Sequence, residues 1–424
     1  MKIFKFGGAS VSTVERIQHM AAILQEYREE PLMIIVSAIG KTTNALEKVA
    51  ETWFAGKKED ALELFRQVRH THDDFAKYLL VREALPTEHR LNDLYTEVEW
   101  LLHDKPVREY DYYYDQIVCI GELLSTTLIS AYLNEEGLSS EWVDVRDVFR
   151  TDDNFRDAGI NWVTTQKQSD ERIRPLFQRT KRVITQGFIG ATDENESTTL
   201  GREGSDYTAA IFASLLDAES LTIWKDVKGV MNADPKQFPT AEIIPELSYE
   251  EVIEMAYYGA QVIHPKTIKP LQNRQIPLYV RSFIDPEEPG TIIHQQCAQV
   301  LPPIIVIKKN QVLLQLKTMD FSFVGEKPVA ELYHWLEQVR IRPNLISTGA
   351  VSVQVCLDDH PEKIGRLASL AATRFDVQVE RGYMLLTIRH PQKGLLEGLT
   401  KGQEIPLLQQ NRDVVQALLK EKNH

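Results

Sequence analysis

The chain has 424 residues, 43% of them hydrophobic, which is enough to bury a large core and to form two or three domains. Its 48 Lys plus Arg stand against 61 Asp plus Glu, a formal net charge of -13, which argues against broad nucleic-acid or anionic-membrane binding. Any anionic ligand must therefore be captured locally. Cys119, Cys297 and Cys356 show no Cys-x-x-Cys or Cys/His ligand spacing, which predicts core thiols in a reduced compartment. No run reads as a membrane span, and Met1 leads straight into Lys2–Phe6 without an apolar leader, so a cytoplasmic protein is expected.

Residues 2–6 alternate like a strand, Gly7-Gly8 turn the chain, and Ser12 with Glu15 predicts a capping box for a helix to about Arg28. Val14, Ile17, Ala21 and Leu24 give that helix its buried stripe. Residues 32–37 form an apolar run of strand length, followed by a polar loop through Asn44 and another helix. Strand and helix alternating at this spacing imply a parallel sheet covered on both faces, with ligands beyond the carboxyl ends of the strands. Lys5, Gly7, Gly8, Ser37 and Thr43 fall there. Lys5 either snorkels at a sheet edge or meets a phosphate, and the two glycines after it favour the phosphate.

From about residue 45 to residue 103 the sequence reads as long helices, a helical excursion from the sheet. His70 and His72 do not share a helix face, which disfavours a metal there. The tyrosine-rich run 109–115 reads as packing or interface. Glu122 then sits in a mainly apolar helix to about Leu133. A buried carboxylate needs a partner, either a structural salt bridge or a ligand.

Residues 183–187 read as a strand, Gly187, Gly190, Gly201 and Gly204 break the backbone, and Ser205-Asp206 opens an apolar helical run, 209–216. Arg202, delivered beside a helix N-terminus, suits a carboxylate or a phosphate. The alternative is a polar surface loop with a solvated acidic tip. Residues 220–224 form another strand, with the 225–236 loop at its carboxyl end. Ser248 and Glu251 cap a helix to about Tyr258, Pro265 starts the next one, and Leu278–Ser282 is a further strand. Pro286, Pro289-Gly290 and Pro302-Pro303 place a domain break near residue 302. Beyond it, 312–317, 351–356, 377–379 and 384–389 read as strands, and 330–339 and 362–373 as amphipathic helices, suggesting two small α+β modules.

A phosphoryl-transfer site needs positive charge on the transferred group, a metal-binding carboxylate and a positioned acceptor. Lys5 and the N–H groups near Gly7-Gly8 suit phosphates, Asp206 can orient them through Mg2+ or Lys5, and the 225–236 loop suits a nucleotide. A carboxylate acceptor needs no general base, because a pKa near ~4 leaves it ionised. Two anions must then approach each other, a repulsion for Lys5, Arg202 and Mg2+ to overcome.

At these residues the chain resembles the aspartate kinases, monofunctional members of the amino-acid kinase family with C-terminal ACT modules. Lys5-Phe6-Gly7-Gly8-Ala9-Ser10-Val11 is similar to that family's KFGGTSV, Gly201-Arg202-Glu203-Gly204-Ser205-Asp206 to its GRGGSD. Trp224-Lys225-Asp226-Val227-Lys228-Gly229-Val230 is similar to its WTDVPGI, and His264-Pro265 to its HP near the nucleotide. The resemblance covers nearly the whole chain. It implies an α/β amino-acid kinase fold over residues 1–301, a mainly parallel sheet sandwiched by helices with a helical insertion at about 45–105. Paired α+β, ferredoxin-like ACT regulatory modules are implied over 302–424. The implied reaction is ATP plus L-aspartate giving 4-phospho-L-aspartate, the entry to lysine, threonine and methionine synthesis.

Carried over by position, the resemblance implies Lys5 and Asp206 as catalytic, and Thr43, Glu122, Arg202 and Ser205 as substrate-binding. Glu122 would hold the α-ammonium and Arg202 the α-carboxylate. ATP would meet Lys5, Phe6, Gly7, Gly8, Ser37, Lys225, Asp226, Met231, Lys236 and Gln261. Mg2+ would accompany ATP, with no resident metal ligands, and a homodimer would form through the ACT modules. Ala9, Glu203, Lys236 and Gln261 depart from the family pattern, each removing or offsetting positive potential near ATP. Asn344, Ile346 and Ser347 lie in a stretch resembling the effector loop, but Gly349-Ala350 stand where lysine-inhibited members carry Ser-Glu, which predicts weak or absent lysine inhibition. Two other readings remain open: a related kinase with another acceptor, and a catalytically silent amino-acid sensor.

Overall fold

The structure, a computed structural model, describes residues 1–260, 263–296, 300–320 and 322–421. Two compact units make it up. The first comprises Met1–Val230, Pro245–Ile253 and Ile263–Cys297, and the second Met231–Ile244, Glu254–Val262 and Ala298–His424.

The chain opens with β1 (Lys2–Phe6), α1 (Val14–Glu26) and β2 (Leu32–Val36). The cap of α1 corrects the expected box. Thr13, not Ser12, is the N-cap, its hydroxyl accepting from Arg16 N, because a 3-10 turn over Gly8–Val11 takes up the residues before it. The helical excursion follows as α2 (Thr42–Phe54), α3 (Lys58–Leu79), α4 (Ala84–His103), α5 (Tyr110–Val118) and α6 (Ile120–Glu135). Then come β3 (Glu141–Val143), α7 (Trp162–Gln168), β4 (Arg182–Gln186), the hairpin β5 (Ile189–Ala191) with β6 (Ser197–Thr199), α8 (Gly204–Leu215) and β7 (Ser220–Lys225). Next are β8 (Glu246–Ser248), α9 (Tyr249–Tyr257), α10 (Pro265–Arg274), β9 (Leu278–Ser282) and β10 (Thr291–His294).

Eight strands form one sheet in the order β3-β4-β2-β1-β7-β9-β10-β8, parallel except where β10 runs against β9. All five residues of β2 are fully buried, as expected of a strand covered by helices on both faces. The stretch Tyr110–Glu135 is long and apolar enough to cross a bilayer, contrary to the expectation that no run would be, yet 94% of its most apolar 18-residue window is buried inside the fold. Its apolarity serves the core. Cys119 and Cys356 are buried free thiols, as expected, and Cys297 lies outside the described residues.

The second unit contains β11 (Ile304–Thr318), α11 (Glu326–Gln338), β12 (Pro343–Thr348), β13 (Ser352–Asp358), α12 (Pro361–Ala371), β14 (Phe375–Arg389), α13 (Leu395–Leu399), β15 (Leu407–Gln410) and β16 (Val414–Lys420). They form one antiparallel sheet, β12-β13-β11-β14-β16-β15. The two strands expected at 377–379 and 384–389 are a single 15-residue strand. Gly382, at φ 78°, and Asn310, at φ 55°, absorb a register shift where β11 pairs with β14, so the strand survives a residue that reads as a turn. The two expected modules thus share β11 and β14. Helices α11 and α12 cover one half over a core that includes Leu314, Leu332, Val355 and Leu367. The short α13 packs against the other half through Leu395, Leu396 and Leu399.

Candidate active site

β1 lies between β2 and β7 with Lys5 opposite Ile35 and Ile223, and Phe6 opposite Val36 and Trp224. Three carboxyl ends therefore finish level, at the edge where the glycine turns begin. Alternation along β1 sends Phe4 and Phe6 to one face, where Phe6 stacks on Trp224 at 6.0 Å, and Lys5 to the other. Phe6 is fully buried there, so only its backbone is available to a nucleotide.

Lys5 is 8% exposed and its Nζ stands 2.6 Å from Asp206 Oδ1, while Lys225 Nζ lies 3.5 Å from Asp206 Oδ2. Asp206 occupies the first turn of α8, where the helix dipole also favours an anion. Burial acts to raise its pKa, but Lys5 and Lys225 prevail and hold it below the usual carboxylate range. Two lysines on one carboxylate leave positive charge in hand for an incoming phosphate.

The turns after β1 and β2 touch. Gly40 N donates to Gly8 O at 3.0 Å, and a Cβ on Gly8 would sit 2.7 Å from Ala38 O, so neither turn tolerates a side chain at Gly8. Helix α6 packs against the same loop, Gly121 facing Leu46, Thr42 and Ala38, and Ser125 Oγ donating to Ser37 O at 2.7 Å. This delivers Glu122. It is 2% exposed, its Oε1 accepts only a long 3.4 Å bond from Ala38 N, and its Oε2 has no hydrogen-bond partner among the described residues. The salt bridge open at the sequence level is not found among the described residues. Desolvation pushes its pKa up to about 8, against the opposing pull of the Ala38 N–H and Lys5.

Arg202 stands in the turn before α8, exposed and with no ion pair among the described residues. Gly201, at φ 74°, lies against Asp157. Ser205 abuts Gly187 at the end of β4, and Thr43 is the half-buried second residue of α2. Asp226 is taken up by an ion pair with Arg16. Met231 and Lys236 belong to the second unit, and Gln261 lies outside the described residues. Asn344, Ile346 and Ser347 lie on strand β12 rather than a loop. Asn344 is engaged by Lys308 Nζ at 2.8 Å, by Gln311 Oε1 at 2.7 Å and by Asp358 Oδ1 at 3.0 Å. Gly349 and Ala350 make the turn to β13, Gly349 N donating to Ser352 O at 2.8 Å.

Asp115 escaped the sequence reading. Fully buried, it accepts from Arg156 N at 3.0 Å, Thr199 N at 2.8 Å and Thr199 Oγ1 at 2.7 Å, joining α5, the loop before α7 and the strand that leads into the Arg202 turn. Burial pushes it up to about 6 despite those three donors. His72 is buried with Nδ1 on Val68 O at 2.8 Å, and no group of three His, Cys, Asp or Glu suited to a metal occurs among the described residues.

A model of the amino acid kinase family matches residues 1–282. The lysine-sensitive aspartokinase 3 of Escherichia coli is 32% identical over 359 residues, 84% of this chain and 78% of that protein. The chain belongs to the aspartokinases of the amino acid kinase family. Chloroplastic aspartokinase 2 of Arabidopsis thaliana is 30% identical over 84% of this chain, which spans 66% of that longer protein. The crystal structure of E. coli aspartokinase III in complex with aspartate and ADP matches with a TM-score of 0.82 at 28% identity, covering 99% of this chain and 96% of that one. Clostridium acetobutylicum aspartate kinase shares the fold, with a TM-score of 0.79 at 18% identity over 99% of this chain and 96% of that one. The expected α/β kinase fold, with a C-terminal antiparallel α+β region consistent with ACT modules, is therefore present.

Proposed function

We propose that this aspartokinase transfers the γ-phosphoryl group of ATP to the side-chain carboxylate of L-aspartate, giving ADP and 4-phospho-L-aspartate, the first step towards lysine, threonine and methionine. The observation that carries the reading is the buried, half-partnered Glu122 beside a Lys5–Asp206–Lys225 cluster at three level strand ends. Such a site offers an unmet anion to an ammonium and a surplus of positive charge to phosphates. The resemblance to an E. coli enzyme that binds aspartate and ADP supports the same pairing.

In this reading Glu122 holds the α-ammonium, Arg202 the α-carboxylate, and Thr43 and Ser205 line the acceptor. Two charged hydrogen bonds of roughly 1.5 to 3 kcal/mol each fix the α-substituents. One added methylene would move the reacting carboxylate out of line, favouring aspartate over glutamate by misalignment. An oxygen of the substrate's side-chain carboxylate forms the new bond to the γ-phosphorus as the bond to the β,γ-bridging oxygen breaks, and that electron pair leaves with ADP. No proton has to move. Lys5 and Lys225 stabilise the transferred group, with Asp206 holding both lysines in place. Gly7, Gly8, Ser37, Lys225 and Asp226 border the nucleotide in this reading.

Asp206 is a single carboxylate already facing two lysines, and no protein cage for Mg2+ forms among the described residues; the ion would arrive on the ATP phosphates and neutralise their charge. Catalysis is assigned to residues 1–301 and effector response to 302–424, with a homodimer through the ACT modules and a cytoplasmic location. Coupled ADP release with aspartate, with glutamate, with N-acetylated substrates and without acceptor tests the assignment. Aspartate-dependent release supports it; none with any acceptor returns the chain to an amino-acid sensor.

A further inference from the structure

Glu203 follows Arg202 directly and occupies the left-handed region, φ 54° and ψ 29°, as the N-cap of α8. A residue with a side chain is strained there, whereas glycine adopts that conformation freely. The Glu203 side chain makes no cap bond to its own helix. It reaches instead to a second one: Oε2 accepts from His264 N at 2.9 Å, and His264 is the N-cap of α10. A carboxylate at that helix start meets both an unpaired N–H and a favourable dipole.

The same helix turn is tied to the Arg202 turn a second time. Lys266 Nζ pairs with Asp157, and Asp157 Oδ1 lies 2.5 Å from where a Cβ on Gly201 would be. Asp157, paired with Lys266, therefore lies against Gly201 on one side of the arginine, and Glu203 bonds the start of α10 on the other. Burial lowers the His264 pKa, with Glu203 opposing that shift and Lys266 and Arg202 adding to it, so all four groups share one electrostatic neighbourhood.

We propose that Glu203 is a positioning residue: by bonding the N-terminus of α10 it holds the otherwise exposed Arg202 guanidinium in the geometry that captures the substrate α-carboxylate. The proposal rests on the assignment of Arg202 to that carboxylate. It differs from the sequence-level expectation for this position, which treated Glu203 as an anion offsetting positive potential near ATP. A pure offset and a tether differ in sign. Removing an offsetting anion strengthens carboxylate binding; removing a tether weakens it.

The test is steady-state kinetics of E203A, E203G, E203Q and R202A, with KM for aspartate and for ATP measured separately from kcat, and thermal unfolding of each. Glutamine keeps an acceptor oxygen for the His264 N–H and drops the charge; alanine and glycine both lose the bond, and glycine also relieves the backbone strain. The tether predicts a rise of about 5- to 20-fold in aspartate KM for E203A and E203G, consistent with partial loss of one charged bond. It predicts E203Q within about threefold of the parent, and kcat and ATP KM within about twofold throughout. A lower aspartate KM in all three Glu203 variants overturns it in favour of a charge offset. Parallel rises in both KM values with loss of thermal stability in E203G, the strain-free variant, overturn it in favour of a merely structural role. If R202A raises aspartate KM and the Glu203 variants do not, the tether fails and the reading of Arg202 stands; if R202A is silent, both fail.

Discussion

Replacing Glu122 with glutamine, alongside a pH series on the parent enzyme, isolates the half-partnered carboxylate. Desolvation pushes Glu122 up to about 8, with Ala38 N–H and Lys5 pulling the other way. The protonated form is neutral and holds an ammonium weakly, so aspartate selects the ionised form. From that value, roughly one site in ten is ionised near pH 7 and about three in four near pH 8.5. The apparent aspartate KM should then fall about 20- to 30-fold from about pH 6.5 to about pH 8.5, a range in which the substrate amine stays protonated. Calorimetric titration of aspartate near pH 7, in buffers of different ionisation heat, should register release of about 0.9 proton per substrate bound. E122Q should flatten the profile, with a KM penalty of about 10- to 100-fold near pH 8.5 that shrinks towards pH 6.5. The free enzyme carries the same signature in its stability. Glu122 is raised from 4.5 to about 8 on folding, so its contribution is fully present below 4.5 and is lost as pH rises through about 8. E122Q should remove that component of the melting profile. A flat aspartate KM in the parent enzyme together with no buffer-dependent heat would refute the assignment of Glu122 to the ammonium.

Other outcomes are equally specific. Lys5→Ala should lower kcat by about 100- to 1,000-fold, the scale for losing one preorganised charge-stabilising donor, with a smaller effect on aspartate KM; unchanged single-turnover rates would contradict it. Asp115→Asn turns one acceptor oxygen into a donor facing N–H and O–H groups of Arg156 and Thr199. It should destabilise the fold by about 1 to 3 kcal/mol in denaturant unfolding. Lysine should inhibit weakly or not at all, since Gly349-Ala350 supply no carboxylate and Asn344 is engaged by Lys308 and Asp358; a clear inhibition curve below roughly millimolar lysine, the upper end of usual substrate and effector concentrations, would contradict this.

The strand-loop-helix rhythm was legible because parallel strands buried on both faces are continuous apolar runs, as in 32–36 and 183–186. Lys5, Glu122 and Asp206 stood out as charges in apolar settings, and the fold buries all three. What sequence could not supply was long-range pairing and backbone handedness. Nothing adjacent to Glu203 marks His264 as its partner, 61 residues away, nor shows that its own φ is positive. Asp115 offered one signal, an acidic residue leading into the apolar run of α6, but its three donors come from distant segments. The α1 cap slipped by one residue because Ser12 and Thr13 are equally good caps, and only the 3-10 turn before them decides which is used. The strands expected at 377–379 and 384–389 are joined through Gly382, where the register shift against β11 keeps the ladder paired on both sides.

Strands β11 and β14 run through both halves of the C-terminal sheet. A cut designed to release one half would sever hydrogen-bonded ladders of the other and leave two raw edges. The same two ribs give whatever binds at one end a covalent lever on the other. Communication between the halves need not wait for two bodies to dock.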